Sequence, residues 1–197
     1  MTAPEVIVKI IEANPDIAAL CFKIYTPTKT LDEELVIPLR ISLKRMLRHD
    51  PPELEKGIWL KKEEVTLERL NKIIDALPRK QALAILSKVK LDPTTAFHLP
   101  LMDFRCEATP KNLRRIQNFF RKIGQKGTVL FSGRSYHYYG IELLAEKDWL
   151  TFLGTCLLFI GCVDSRYIGH LLISGQACLR ISPTTRKPCL PKVVAIL

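Results

Sequence analysis

From residue 97 onward the chain switches between the two-residue period of strands and the 3.6-residue period of helices in a fixed order, and that order limits the fold more than any other feature. HLPLMDFRC reads as a strand. Thr109 then offers an N-cap and Pro110 a first helical residue whose missing N–H costs nothing there. The helix TPKNLRRIQNFFRKIGQKG follows, with Leu113, Ile116, Phe120 and Ile123 on one face and Gly124 or Gly127 to stop it. TVLFSG and SYHYYGIEL are two further strands joined by a short polar turn. A second helix is expected from about Ala145 to Ile160, its first turn carrying Glu146 and Asp148 where negative charge suits the helix dipole. QACLRIS supplies a last strand before PTTRKPCLPKVV.

Strand, helix, strand, strand, helix, strand is the βαββαβ order of an RRM-like or ferredoxin-like core, so the expected class is α+β, with that core over residues 97–197. Residues 1–96 are expected to form a mainly helical N-terminal region. PEVIVKIIEANPDIAALCF begins with apolar residues at Val6, Ile7, Ile10 and Ile11 and reads as a short amphipathic helix ending near Asn14 and Pro15. TLERLNKIIDALP and RKQALAILSKV read as a helical pair broken at Pro78. LKRMLRHDPPE places Lys44, Arg45, Arg48 and His49 before a Pro-Pro break, a solvated basic helix face more than a nucleic-acid contact.

Charge separates the two regions. The chain has 197 residues and a net charge of +10. Residues 1–96 hold 16 Lys and Arg against 14 Asp and Glu, whereas residues 97–197 hold 14 against 6, so almost all of the excess lies in the second region. Such a balance suits nucleic acid or nucleotide phosphates. Six cysteines without a CxxC pair argue against a disulfide framework or a zinc site and for reduced thiols in a cytoplasmic protein. The apolar run from Trp149 to Val163 is shorter than the roughly 20 residues a membrane helix needs, so no membrane association is expected.

Within the element order the polar residues fall at LPLMDFR, SGRSYH, CVD and LRISPTTRKPCLP. Over residues 97–197 this pattern resembles the catalytic core of the archaeo-eukaryotic primase superfamily, which includes the primase-polymerases. That family places an acidic hhDxD-type motif at the end of its first core strand, an SGxxGxH or SxH motif after the next, a later acid, and in many members an Arg-Pro segment that contacts nucleotide. The resemblance implies a nucleotidyltransferase-type centre with Asp103, His137 and Asp164 as its catalytic residues. Asp103 and Asp164 would hold Mg or Mn, and Ser132, Gly133, Arg134, His137 and Arg180 would cradle the incoming triphosphate.

The chain departs from the family at the second acid, where Arg105 stands. Two-ion phosphoryl transfer needs several oxygen ligands, and residues 103, 105 and 107 would share one strand face. An arginine beside Asp103 would repel metal and attract phosphate, with Glu107 the one replacement acid nearby. The expected function is therefore a divergent primase-polymerase-like domain that binds nucleotides and DNA or RNA, with catalysis reduced or lost. Two other readings stay open: a non-enzymatic RRM-like nucleic-acid-binding module, and an accessory subunit docking on a replication or mobile-element protein. Local uses of the same residues also stay open. Asp164 before SRYIGHLL suits a helix N-cap, Asp103 could pair with Arg105, and His137 could be a packed histidine.

Overall fold

A computed structural model describes residues 1–27, 57–92, 96–159 and 161–197. The elements run α1 (Ala3–Ala13), β1 (Ala19–Tyr25), β2 (Ile58–Lys61), a 3-10 turn (Lys62–Glu64), α2 (Leu67–Asp75), β3 (Ala82–Lys90), β4 (Ala96–His98) and β5 (Leu101–Asp103). They continue with α3 (Pro110–Lys122), β6 (Gly127–Phe131), β7 (Tyr136–Gly140), α4 (Glu146–Leu157), α5 (Ser165–Ser174), β8 (Cys178–Arg180) and β9 (Lys192–Ile196). The class is α+β, as the alternating periods imply.

Two antiparallel sheets form. One has the order β2-β1-β3-β4, with β8 pairing to β3 beside β4; the other has the order β5-β7-β6-β9. Within the second sheet β5, β7 and β6 lie in the order a βαββαβ core requires. The fourth core strand does not join them: β8 pairs Ala84 with Arg180 and Leu86 with Cys178 in the first sheet, and β9 takes the edge beside β6. Strand pairing therefore crosses the expected division at residues 96 and 97.

The N-terminal region is not mainly helical among its described residues. α1 and α2 form where expected, α2 capped by the Thr66 hydroxyl accepting from the Arg69 amide. RKQALAILSKV, however, is strand β3. Residues 82–87 and 89 are all buried, and β3 is flanked by β1 on one side and by β4 and β8 on the other. A continuous apolar run has neither period, and burial on both faces decides for a central strand. The basic cluster at Lys44, Arg45, Arg48 and His49 lies outside the described residues.

HLPLMDFRC divides between the sheets. β4 pairs with β3 and β5 with β7, and the crossing falls at Leu99 and Pro100. Pro100 has no N–H to give a ladder, but its carbonyl accepts from the Gly140 amide at 2.8 Å. A Cβ on Gly140 would lie 2.6 to 3.0 Å from the Pro100 ring, so glycine is what lets the two strands meet there. α3 and α4 cover one face of the second sheet: Phe120 stacks on Tyr138 with ring centroids 3.7 Å apart, and Phe152 closes on both.

Candidate functional site

Side chains alternate along β7. Tyr138 faces α3, so His137 and Tyr139 face the other way, toward β8 and α5. The antiparallel register pairs His137 directly with Asp103, and the ladder continues as the Phe104 amide donates to the Tyr136 carbonyl at 3.0 Å. On the other side of β5 an isolated antiparallel bridge joins Phe104 to Val163, which places Asp164 opposite Asp103. Asp164, Asp103 and His137 thus stand in a row across three neighbouring chain segments, on the sheet face that the two helices leave open. His137 Nε2 lies 3.5 Å from Asp103 Oδ1.

Their electrostatics follow from this crowding. Burial raises the Asp103 carboxyl to about 6, with the Asp164 charge adding to the rise and Lys187 and Arg180 opposing it. Asp103 is not sealed, since its side chain keeps 37% exposure, whereas the His137 side chain keeps 4%. Burial, with the cations of Arg180 and Lys187 nearby, holds His137 well below the ordinary imidazole range, so it is neutral at pH 7. Its Nδ1 has no hydrogen-bond partner among the described residues, nor has the buried Nε of Arg180. Two orphaned polar atoms beside one acid are uncommon in a finished core and mark a place where a ligand can satisfy them.

The turn Ser132–Ser135 is built around glycine. Gly133 sits at φ 114, open to glycine alone at little cost, and faces Cys189. The Ser132 amide donates to the Ser135 carbonyl at 2.9 Å, and the Arg134 carbonyl accepts from Ala108. Neither the Gly133 nor the Arg134 amide donates to a partner among the described residues.

Arg180, at the end of β8, reaches this turn. Its Nη2 donates to the Ser132 carbonyl at 2.9 Å and its Nη1 to the carbonyls of Cys189, at 2.8 Å, and Ser182. Three of its five donors are thereby used in tying chain segments together, and the Nε–H and one Nη2–H remain. Asp164 is the N-cap of α5, accepting from the Arg166 amide at 3.0 Å, so the capping role and the place beside Asp103 coexist.

Arg105 does not occupy the expected position. β5 ends at Asp103, and beyond the Phe104 bridge the chain turns out, with Arg105 and Glu107 both exposed. The cations acting most strongly on Asp103 are Lys187 and Arg180. The strand ends before Arg105, and its guanidinium is not among the charges that act on Asp103.

Lys187, in the segment after Arg180, joins the site from a loop, while Tyr25 and Tyr167 carry no signal in the sequence. Lys187 is felt electrostatically at Asp103, and the Asp103 charge in turn is felt at Tyr25 on β1 and at Tyr167 on α5, whose hydroxyl donates to the Cys178 carbonyl at 3.4 Å. The RKP sequence after the last core strand was the one available signal for Lys187. A tight turn in which the Thr184 amide donates to the Lys187 carbonyl and the Lys187 amide to the Thr184 carbonyl carries it to the site.

Among the described residues no group of three or more His, Cys, Asp or Glu is placed to hold a metal ion unaided, and no helix is long and apolar enough to cross a membrane. Asp103 and Asp164 could share one divalent ion whose other ligands are water and phosphate oxygens, the usual pattern for magnesium. Two facing carboxylates, one with a raised pKa, fit that use. They fall short of the oxygen set that two adjacent ions need.

The chain is thus an α+β domain with an acid at the end of one strand and the SGRSYH turn and histidine on its neighbour. A family model described as archaeo-eukaryotic primase 1D-like matches residues 61–192, and the chain belongs to that family. The match begins well before residue 97 and so takes in β3 and β4 as well as the second sheet. Neither a curated protein nor a solved structure matches the chain.

Proposed function

We propose that this chain is a divergent primase-polymerase-like domain whose centre binds the phosphates of nucleotides and nucleic acid, with nucleotidyl transfer slow beside that of a two-ion centre. The row Asp164, Asp103, His137 carries the reading. In it Asp103 and Asp164 hold Mg or Mn, which when bound neutralises phosphate charge. His137, neutral at pH 7, offers one ring nitrogen to a phosphate oxygen as donor. Lys187 supplies a mobile cation, and the Arg180 Nε–H with the amides of Gly133 and Arg134 completes an anion-binding wall. Ser132 positions that wall through its carbonyl contact with Arg180.

Reduced turnover follows from ligand number. Removing one ion from a two-ion arrangement leaves either the attacking or the leaving oxygen without stabilisation, and such electrostatic assistance is usually the largest catalytic contribution. The domain would then retain affinity for triphosphate while losing rate.

Calorimetric titration with a nucleoside triphosphate in Mn²⁺, alongside primer extension and dinucleotide synthesis, tests this. Micromolar-range binding that weakens about tenfold or more in His137→Ala and in Lys187→Ala supports it, that factor corresponding to roughly 1.4 kcal/mol. Undiminished binding in both variants would remove the phosphate cradle from the account. Extension as fast as an ordinary polymerase, unaffected by Asp103→Asn, would reject both the centre and its reduced rate.

A further inference from the structure

α3 carries a feature that the centre does not use. At 100° per residue, Lys111, Arg114, Arg115, Arg121 and Lys122 fall within an arc of about 120° on the helix, with Asn118 in the middle. All six are exposed, and the helix holds no acid. The opposite stripe, Ile116 and Phe120, is buried on the second sheet. Among the described residues Lys111, Arg114, Arg121 and Lys122 form no ion pair, while Arg115 donates to Asn112 at 3.4 Å and lies over the Phe159 ring.

The N-terminal half of this stripe is unfavourable for the helix itself, whereas Arg121 and Lys122 suit its last turn. Lys111 is a cation in the first turn, where the dipole favours anions, and it sits three and four residues before Arg114 and Arg115, at the spacings where like charges repel. An ordinary solvated helix face mixes both signs and gains from the alternation. A face of one sign, with no acid to offset it, is complementary to a polyanion.

Its position separates it from the site. Phe120 packs on Tyr138, whereas His137 faces the opposite side of the same sheet, so the stripe and the row of Asp164, Asp103 and His137 lie on opposite sides of the domain. We infer that the outer face of α3 is a second, sequence-independent nucleic-acid surface that grips the phosphate backbone away from the nucleotide centre. Lys111 to Lys122 spans about 16 Å, over which duplex DNA presents roughly ten phosphates, so every cation in the stripe can meet one. The surface stands independently of the chemistry proposed for the centre.

The test is the salt dependence of binding to a labelled oligonucleotide, single-stranded and duplex, for the whole chain and two triple variants. One variant carries Lys111→Gln, Arg114→Gln and Arg121→Gln. The other removes equal charge from exposed positions around α2, as Arg69→Gln, Lys72→Gln and Lys80→Gln. The α3 variant is expected to lower the slope of log K against log salt by about 2 to 3, from about 0.7 to 0.9 per cation, and to leave triphosphate titration unchanged. The α2 variant is expected to keep the parental slope. Equal losses in both variants would mean a bulk charge effect, and no loss in the α3 variant would place the nucleic acid elsewhere; either result overturns the inference. Loss of triphosphate binding in the parent chain would bear on the centre alone.

Discussion

The Arg180 guanidinium donates to the Ser132 carbonyl at 2.9 Å, joining the end of a strand in one sheet to the turn between two strands of the other. Because the same group also holds the Cys189 and Ser182 carbonyls, it fixes the turn and the loop that carries Lys187 relative to β5. Arg180→Ala is expected to leave those carbonyls unmet in a nearly buried site and to destabilise the fold by about 2 to 4 kcal/mol in urea unfolding. Arg180→Lys keeps the charge but not the three-way geometry, and an intermediate loss is expected. Parental stability in both variants would mean that the guanidinium serves ligands alone.

Asp103 keeps its carboxylate at the expense of stability. Its pKa rises from 3.8 to about 6 on folding, so the folded chain binds the proton more tightly, and the resulting stabilisation is full below 3.8 and lost as pH rises through 6. Asp103→Asn is therefore expected to stabilise the protein at pH 8 by about 1 kcal/mol, after allowance for solvent reaching a partly open side chain, and to change little near pH 3.5. Denaturant midpoints at the two values check this. An asparagine that destabilises at pH 8 would mean that the carboxylate is favourably paired.

His98 gives the opposite pH dependence. The Ser87 hydroxyl accepts from the Ala177 amide at 2.8 Å and so turns its own proton to His98 Nδ1 at 3.0 Å, leaving the Nε2–H to donate to Glu146 at 2.8 Å. Burial lowers the His98 pKa despite Glu146, and His137 is lowered further. Both rings take up protons more readily when unfolded, so stability present above pH 6.5 is lost as pH falls below it. A urea midpoint that drops between pH 7 and pH 5 is expected, with a steeper drop in Asp103→Asn because the opposing carboxyl contribution is gone. A flat midpoint would contradict the buried neutral state of these rings.

Gly140→Ala tests how the fold delivers Asp103. The new Cβ would press on the Pro100 ring where the chain leaves one sheet for the other. A loss of about 1 to 3 kcal/mol is expected, together with weakened triphosphate binding, because β5 must shift for the methyl group to fit. Unchanged binding at reduced stability would separate the crossing from the site.

Local patterns with one buried face were readable in advance. α3, with its Thr109 cap and apolar stripe, and the hairpin of β6 and β7 formed where period and turn residues placed them. β3 was not legible, since ALAILSKV buries both faces and carries no period. The division of HLPLMDFRC was hidden because its two halves obtain partners from different sheets, a tertiary matter. The departure of β8 from the expected sheet has the same cause. Tyr25 was invisible because it comes near Asp103 from a strand far away in sequence.

The central claim is that Asp164, Asp103 and His137 form one phosphate-binding, cation-assisted centre. Triphosphate affinity measured with and without Mn²⁺ in the parent, Asp103→Asn and Asp164→Asn tests it most directly, since asparagine preserves both shapes and the α5 cap. Binding that Mn²⁺ strengthens tenfold or more in the parent, and that is indifferent to Mn²⁺ in each variant, is the expected result. Equal strengthening in all three proteins would contradict the account.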